Sequence, residues 1–291
     1  MRKLLLALAF TCFAGAVHAE SVTQPPSPCS SLGVTAGNCQ PGTATPNYIS
    51  GLILSTAGSS ATFGVSSGAA NDSTNVSSLV LASAYTKTTS AWAVGTGNGC
   101  LDTGTIANST PYAVFLIQRV DTGVVDVICT KETAGSTPSP TLPSNYTLAR
   151  YIWTLKTDGS AHWQLFTQTG NRCVLAAGTT VFNTTPGVAG TFFTMNAPLG
   201  LVTAGIIRGY AVDATPNNTA LITSPQETSA ASNATLGNIT VTAQILNQSA
   251  PFGELAVLTN TSGQGRAIAS DNALTLSIYG YGWIDLARGP Q

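Results

Sequence analysis

Apolar residues in this chain fall in short runs that alternate with polar ones or stand unbroken for four to nine positions, and clusters of Gly, Pro, Ser, Thr and Asn separate them. That pattern predicts strands joined by turns. The clearest stretch runs from Ser77 to Cys129. Within it Tyr112–Val120 and Val124–Cys129 are β-branched and aromatic runs linked by Asp121-Thr122-Gly123. A three-residue connection whose glycine can take a positive φ predicts a β-hairpin. Its first arm is apolar on both alternating faces, Val114 and Leu116 on one, Ala113, Phe115 and Ile117 on the other, so a central strand covered on both sides is expected.

Before the hairpin, Tyr48–Thr56, Thr62–Val65 and Leu79–Ala84 read as strands; after it come Leu148–Leu155, Trp163–Thr167 and Arg172–Ala176. Short runs then recur at sandwich-like spacing: 191–195, 201–212, 220–223, 239–246, 254–259, 266–269 and 274–279. In the last of them Leu274, Leu276 and Ile278 alternate with Thr275 and Ser277, which marks a sheet with one wet face. No stretch sustains helical periodicity for three turns, and no fixed-period repeat occurs. The expected class is all-β, with two β-sandwich-like domains at 48–165 and 166–291, the second jelly-roll-like. Residues 20–47, rich in Pro, Ser and Gly, read as a flexible arm.

The first residues have the form of a secretory leader: Arg2 and Lys3, a short apolar region from Leu4 to Val17, then Val17-His18-Ala19, with cleavage expected between Ala19 and Glu20. Fourteen residues are too few to span a bilayer comfortably. No later run approaches that length, so no membrane span is expected after leader removal. Only 8% of the 291 residues are charged, and polarity comes from hydroxyls and amides, as in extracellular or particle-borne β proteins. Loss of the leader leaves nine basic against twelve acidic residues with no basic cluster, which argues against nucleic acid as a partner.

Five cysteines remain in the mature chain. Cys29 and Cys39 can close a short loop, and Cys100 can pair with Cys129 or with Cys173; spacing does not choose between them, and a reduced, buried Cys129 is an equal alternative. Ten Asn-x-Ser/Thr triplets follow from a composition rich in those residues. A single histidine in the mature chain, His162, and the lack of any C-x-x-C spacing leave no metal site and no Ser/His/Asp constellation, and no cofactor is expected. The glycine-rich loop Ala91–Gly104 lacks the spacing of a phosphate-binding loop. Asp121 and Asp126 flank the hairpin turn as a glycosidase-like pair would, yet aspartate at Asp121 is ordinary turn chemistry, and no catalytic residue is assigned. Trp92, Tyr281 and Trp283 are the aromatic residues placed to stack on a sugar or anchor a receptor. Trp153 and Trp163, inside strands, are expected in the core.

The pieces TTSAWAVGTGNGCLDTG (88–104), FLIQRVDTGVVDVI (115–128), PTLPSNYTLARYI (140–152), FTQTGNR (166–172) and GWIDLARG (282–289) together resemble a family of tailed-bacteriophage and prophage virion structural proteins, of tail-fibre or tail-associated type. The resemblance spans roughly residues 47 to 291, in order. It implies a non-enzymatic, β-rich particle component acting in attachment or surface decoration, a homo-oligomer in contact with other virion proteins and, at the host-facing end, with a surface glycan or receptor. A secretory leader and extra cysteines are out of pattern for a protein assembled in the host cytoplasm. They favour the alternative, a secreted or periplasmic bacterial β-sandwich that binds glycan or acts as an adhesin.

Overall fold

The computed structural model describes residues 46–215, 217–228, 231, 239–240 and 249–288, and every regular element among them is a strand. Ala19, Glu20, Cys29, Cys39 and the arm as far as residue 45 lie outside the described residues, as does most of the strand expected at 239–246. The first strands are β1 (Ile49–Gly51), β2 (Leu54–Ser55), β3 (Thr62–Val65), β4 (Gly68–Asn71), β5 (Ser78–Leu81), β6 (Tyr85–Ala91), β7 (Gly99–Leu101), β8 (Pro111–Arg119), β9 (Val125–Lys131) and β10 (Tyr146–Lys156). They form a three-stranded sheet ordered β1-β4-β5 and a seven-stranded one ordered β10-β8-β9-β7-β6-β3-β2.

The expected hairpin is β8–β9, in register Phe115↔Ile128 and Leu116↔Val127, and Gly123 at its turn has φ +72°. β8 lies between β9 and β10, buried along all but its last residue. One face, with Tyr112, Val114 and Leu116, enters the main core; the other, with Ala113, Phe115 and Ile117, forms a smaller cluster with Ile128 and Tyr146. A strand apolar on both faces has to be covered twice. At about 1.5–3 kcal/mol for each large side chain taken from water, both covers are strongly favoured.

Tyr48–Thr56 departs from expectation. Gly51 and Leu52 take left-handed φ values of +65° and +53°, which turn the chain and divide one predicted strand into β1 and β2, in different sheets. The buried Arg288 guanidinium donates to the Gly51 and Leu52 carbonyls at 2.7 and 3.2 Å and so satisfies the bent backbone.

The later strands are β11 (Phe166–Thr169), β12 (Arg172–Thr184), β13 (Thr191–Thr194), β14 (Ala204–Val212), β15 (Thr219–Thr223), β16 (Ile239–Thr240), β17 (Ser249–Leu258), β18 (Gln264–Ala269) and β19 (Thr275–Ile284). Sheets ordered β11-β12-β19-β14-β17 and β13-β18-β15-β16 result, an arrangement compatible with a jelly-roll-like sandwich. Ser277, expected on a wet face, is 2% exposed and donates to Asn183 Oδ1 instead. Among the described residues, no strand of 49–156 shares a sheet with one of 166–284. The main core nevertheless runs through both sets, and Gly42–Gln291 is one compact unit. Trp153 and Trp163 are fully buried in that core.

Where the two sets of strands meet, a file of polar groups is buried. Glu132 Oε1 lies 2.5 Å from Thr154 Oγ1, Thr154 Oγ1 3.0 Å from the Tyr151 hydroxyl, and that hydroxyl 2.5 Å from Asp285 Oδ2. The Leu199 amide donates to Glu132 Oε2, and the amides of Ala287 and Arg288 donate to Asp285 Oδ1. Burial raises the Glu132 carboxyl to about 8 and Asp285 above its ordinary value, and lowers Arg288 to about 10.

Candidate functional site

The glycine loop after β6 is held from beneath by an ion pair. Lys87 on β6 and Asp126 on β9 have fully buried side chains, with Nζ 2.7 Å from Oδ1. Lys87 Nζ also donates to the carbonyls of Ala93 and Gly95 at 2.8 and 3.1 Å, and the Gly95 amide donates to Asp126 Oδ2 at 2.6 Å. The ammonium therefore has three acceptors, two of them loop backbone. Burial draws the Lys87 pKa down, and Asp126 opposes it. An ion pair this deep stands only because its remaining hydrogen bonds are met. Its consequence is a loop pinned at residues 93–95.

Cys100 and Cys129 form a disulfide between β7 and β9, with Cα atoms 5.1 Å apart. Of the two partners open to Cys100, the parallel pairing Leu101↔Cys129 brings Cys129 alongside. Cys173, a candidate for pairing, is a buried free thiol on β12 opposite Trp283. Burial pushes that thiol well above its ordinary range.

On this base the pinned loop presents Trp92. Its ring meets Tyr146 edge to face, centroids 5.3 Å apart at 80°, and the Lys87 ammonium lies 5.6 Å from the Trp92 centroid. Tyr146 reaches this position because Asn145 adopts φ +67° and the Tyr146 amide donates back to the Pro143 carbonyl. Trp92 and Tyr146 line a cleft of about 320 Å³ with Val94, Val124, Arg119 and the Pro143-Ser144 segment. Trp92 Nε1 and the Tyr146 hydroxyl oxygen are buried without a hydrogen-bond partner, whereas Val94 and Val124 are 55% and 40% exposed. At the rim the Arg119 fork donates to Asp121, Nε to Oδ1 at 2.9 Å and NH2 to Oδ2 at 2.6 Å. This contact holds the Asp121 carboxyl at about 2, so the pair stays ionised at neutral pH. Burial, with a contribution from Asp126, raises the Tyr146 hydroxyl and keeps it neutral.

The cleft thus combines aromatic faces, apolar walls and a forked ion pair at its rim. Of the three aromatic residues singled out in the sequence, Trp92 sits here. Tyr281 lies on a different sheet, half-buried under the Arg208 guanidinium at 4.8 Å, over Gly178, where a Cβ would come within 2.6 Å of the ring. Trp283 is a correction: at 2% exposure it packs on Trp153, centroids 6.3 Å apart, and is closed to any external ligand. Asp121 and Asp126 do not face one cleft as a carboxylate pair, since Asp121 is paired at the surface and Asp126 is sealed beneath the loop. Among the described residues no three His, Cys, Asp or Glu side chains are grouped to hold a metal ion, and no helix is long and apolar enough to cross a membrane.

Sequence reasoning missed Lys87, Tyr146 and Arg119. The run Tyr85-Thr-Lys-Thr-Thr-Ser carries no apolar alternation that would signal a strand with a buried lysine. No protein-family model, curated protein or solved structure matches this chain.

Proposed function

We propose that this chain is a non-enzymatic structural protein of phage-particle type, surface-displayed within an oligomeric assembly and serving attachment through a glycan bound in the Trp92 cleft. The observation that carries the attachment role is the Trp92–Tyr146 pair in a cleft walled by the exposed Val94 and Val124, on a loop pinned by the Lys87–Asp126 pair. A rigid, partly open aromatic site loses little entropy on binding. The ordered resemblance of residues 47–291 to virion structural proteins supports placing that site on a particle.

The Cys100–Cys129 disulfide favours a second reading, a secreted β-sandwich that binds glycan, because such bonds persist in oxidising compartments. Peptide mass spectrometry on purified particles beside cleared culture medium separates the two. Presence in particles at a fixed ratio to the major capsid protein supports the virion role; abundance in the medium alone overturns it and leaves the secreted module. Either way, the protein is expected to bind host-surface polysaccharide, and Trp92→Ala to weaken that binding by roughly tenfold or more while the fold survives. Unchanged binding by the variant would remove the cleft from the proposal.

A further inference from the structure

A second cavity, of about 210 Å³, opens between the outer face of β10 and the loops at 137–138, 201 and 287. Its mouth carries the exposed Ser73 and Thr137, and its floor is formed by Phe115 and Arg150, 7% and 6% exposed. The Arg150 guanidinium, like that of Arg266, is buried with too few partners. NH1 and NH2 reach only the Asn47 side-chain oxygen and carbonyl, at 3.2 and 3.4 Å, and buried Nε has no hydrogen-bond partner. None of the ion pairs among the described residues includes Arg150.

The nearest negative charges do not fill that gap. Asp72 and Asp285 act on Arg150 through space, but both carboxylates are already taken. Asp72 accepts from the amides of Thr74, Val76 and Ser77 and from the Thr74 hydroxyl; Asp285 accepts from Tyr151, Ala287 and Arg288. Guanidinium is the group best shaped to take a carboxylate through two parallel N–H donors, and burial without one is costly. Burial accordingly lowers its pKa.

We infer that this cavity is an anion site in which Arg150 takes the carboxylate of a ligand no larger than one sugar ring. Its volume admits a single ring, Phe115 with Tyr151, edge to face at 5.8 Å, gives an aromatic wall, and Ser73 and Thr137 offer hydroxyls to the ligand's polar edge. The shared chemistry is the carboxylate, whether it comes on a small free acid or on an acidic sugar ring. The site is separate from the Trp92 cleft and does not rest on the attachment role.

The test is titration of the full-length protein with D-glucuronate, D-glucose and acetate, followed by calorimetry and by the Nε–Hε resonance of Arg150 in the unsubstituted protein. Saturable binding of glucuronate that moves this resonance, with no binding of glucose, is expected. Arg150→Gln should weaken glucuronate roughly tenfold or more, and Arg150→Lys, which keeps the charge but not the fork, should lose part of that. Acetate binding as well as glucuronate would make the free carboxylate sufficient; weaker acetate would assign the ring a share. Equal binding of glucose and glucuronate, an unmoved Arg150 resonance, or full affinity in a folded Arg150→Gln variant overturns the proposal. So does loss of glucuronate binding in Trp92→Ala with retention in Arg150→Gln, because the ligand would then sit in the other cleft.

Discussion

Two buried polar networks in this protein keep charge in the interior by opposite means. Beneath the Trp92 loop, Lys87 is paired with Asp126 and backbone groups take what hydrogen-bonding capacity is left. At the meeting of the two sets of strands, Glu132 is in no ion pair among the described residues; it is bonded to Thr154 and the Leu199 amide, and its pKa rises to about 8. Pairing makes a site rigid at any ordinary pH. Protonation makes it conditional, because the proton itself is part of the packing.

The largest expected effect separates the two directly. Glu132 ionises near 4.5 when exposed and near 8 when folded, so from pH 4.5 to 8 the folded state holds a proton that the unfolded chain has released. Stability is therefore fully present below pH 4.5 and falls as pH rises to 8, by up to roughly 5 kcal/mol. Asp285, raised in the same direction, adds to the slope. Denaturant titrations at stepped pH should show this decline in the native protein and a flatter profile in Glu132→Gln; equal slopes would mean that Glu132 is not held protonated.

Next in size is the ion pair. Asp126→Ala leaves Lys87 buried and uncompensated, at a cost of about 3–5 kcal/mol in unfolding experiments, while the double change Lys87→Met with Asp126→Leu should recover most of that loss. Recovery of stability without recovery of glycan binding would show that the pair serves the loop more than the fold. The smallest effect belongs to the disulfide on the same side. Cys100→Ser with Cys129→Ser should lower stability by about 2–4 kcal/mol through the 29-residue separation it closes. A loss confined to binding, with no change in melting, would place the bond's role in the loop alone.

These comparisons also mark how far sequence reasoning reaches. The β8–β9 hairpin was legible because local pattern and turn chemistry agree: Asp121-Thr122-Gly123 allows one tight connection, and a strand apolar on both faces has to lie centrally. The break at Gly51-Leu52 was not, because its stabilising partner, Arg288, lies 236 residues from Leu52. Trp283 was grouped with Trp92 and Tyr281 as a candidate contact, and its burial depends on Trp153 from another sheet. Trp92 was recognised as a candidate contact, while Tyr146, Arg119 and Lys87, which make it a site, carry no mark in their own neighbourhoods.

Local sequence thus determined the all-β class, the hairpin and the double-sided burial of β8, since turn geometry and alternation act over a few residues. Tertiary structure alone decided which cysteine meets Cys100, which charges are buried in pairs and which by protonation, and that Arg150 faces a cavity without a carboxylate. Those outcomes depend on groups brought together from distant strands, whose fields and hydrogen bonds exist only once the sheets have packed.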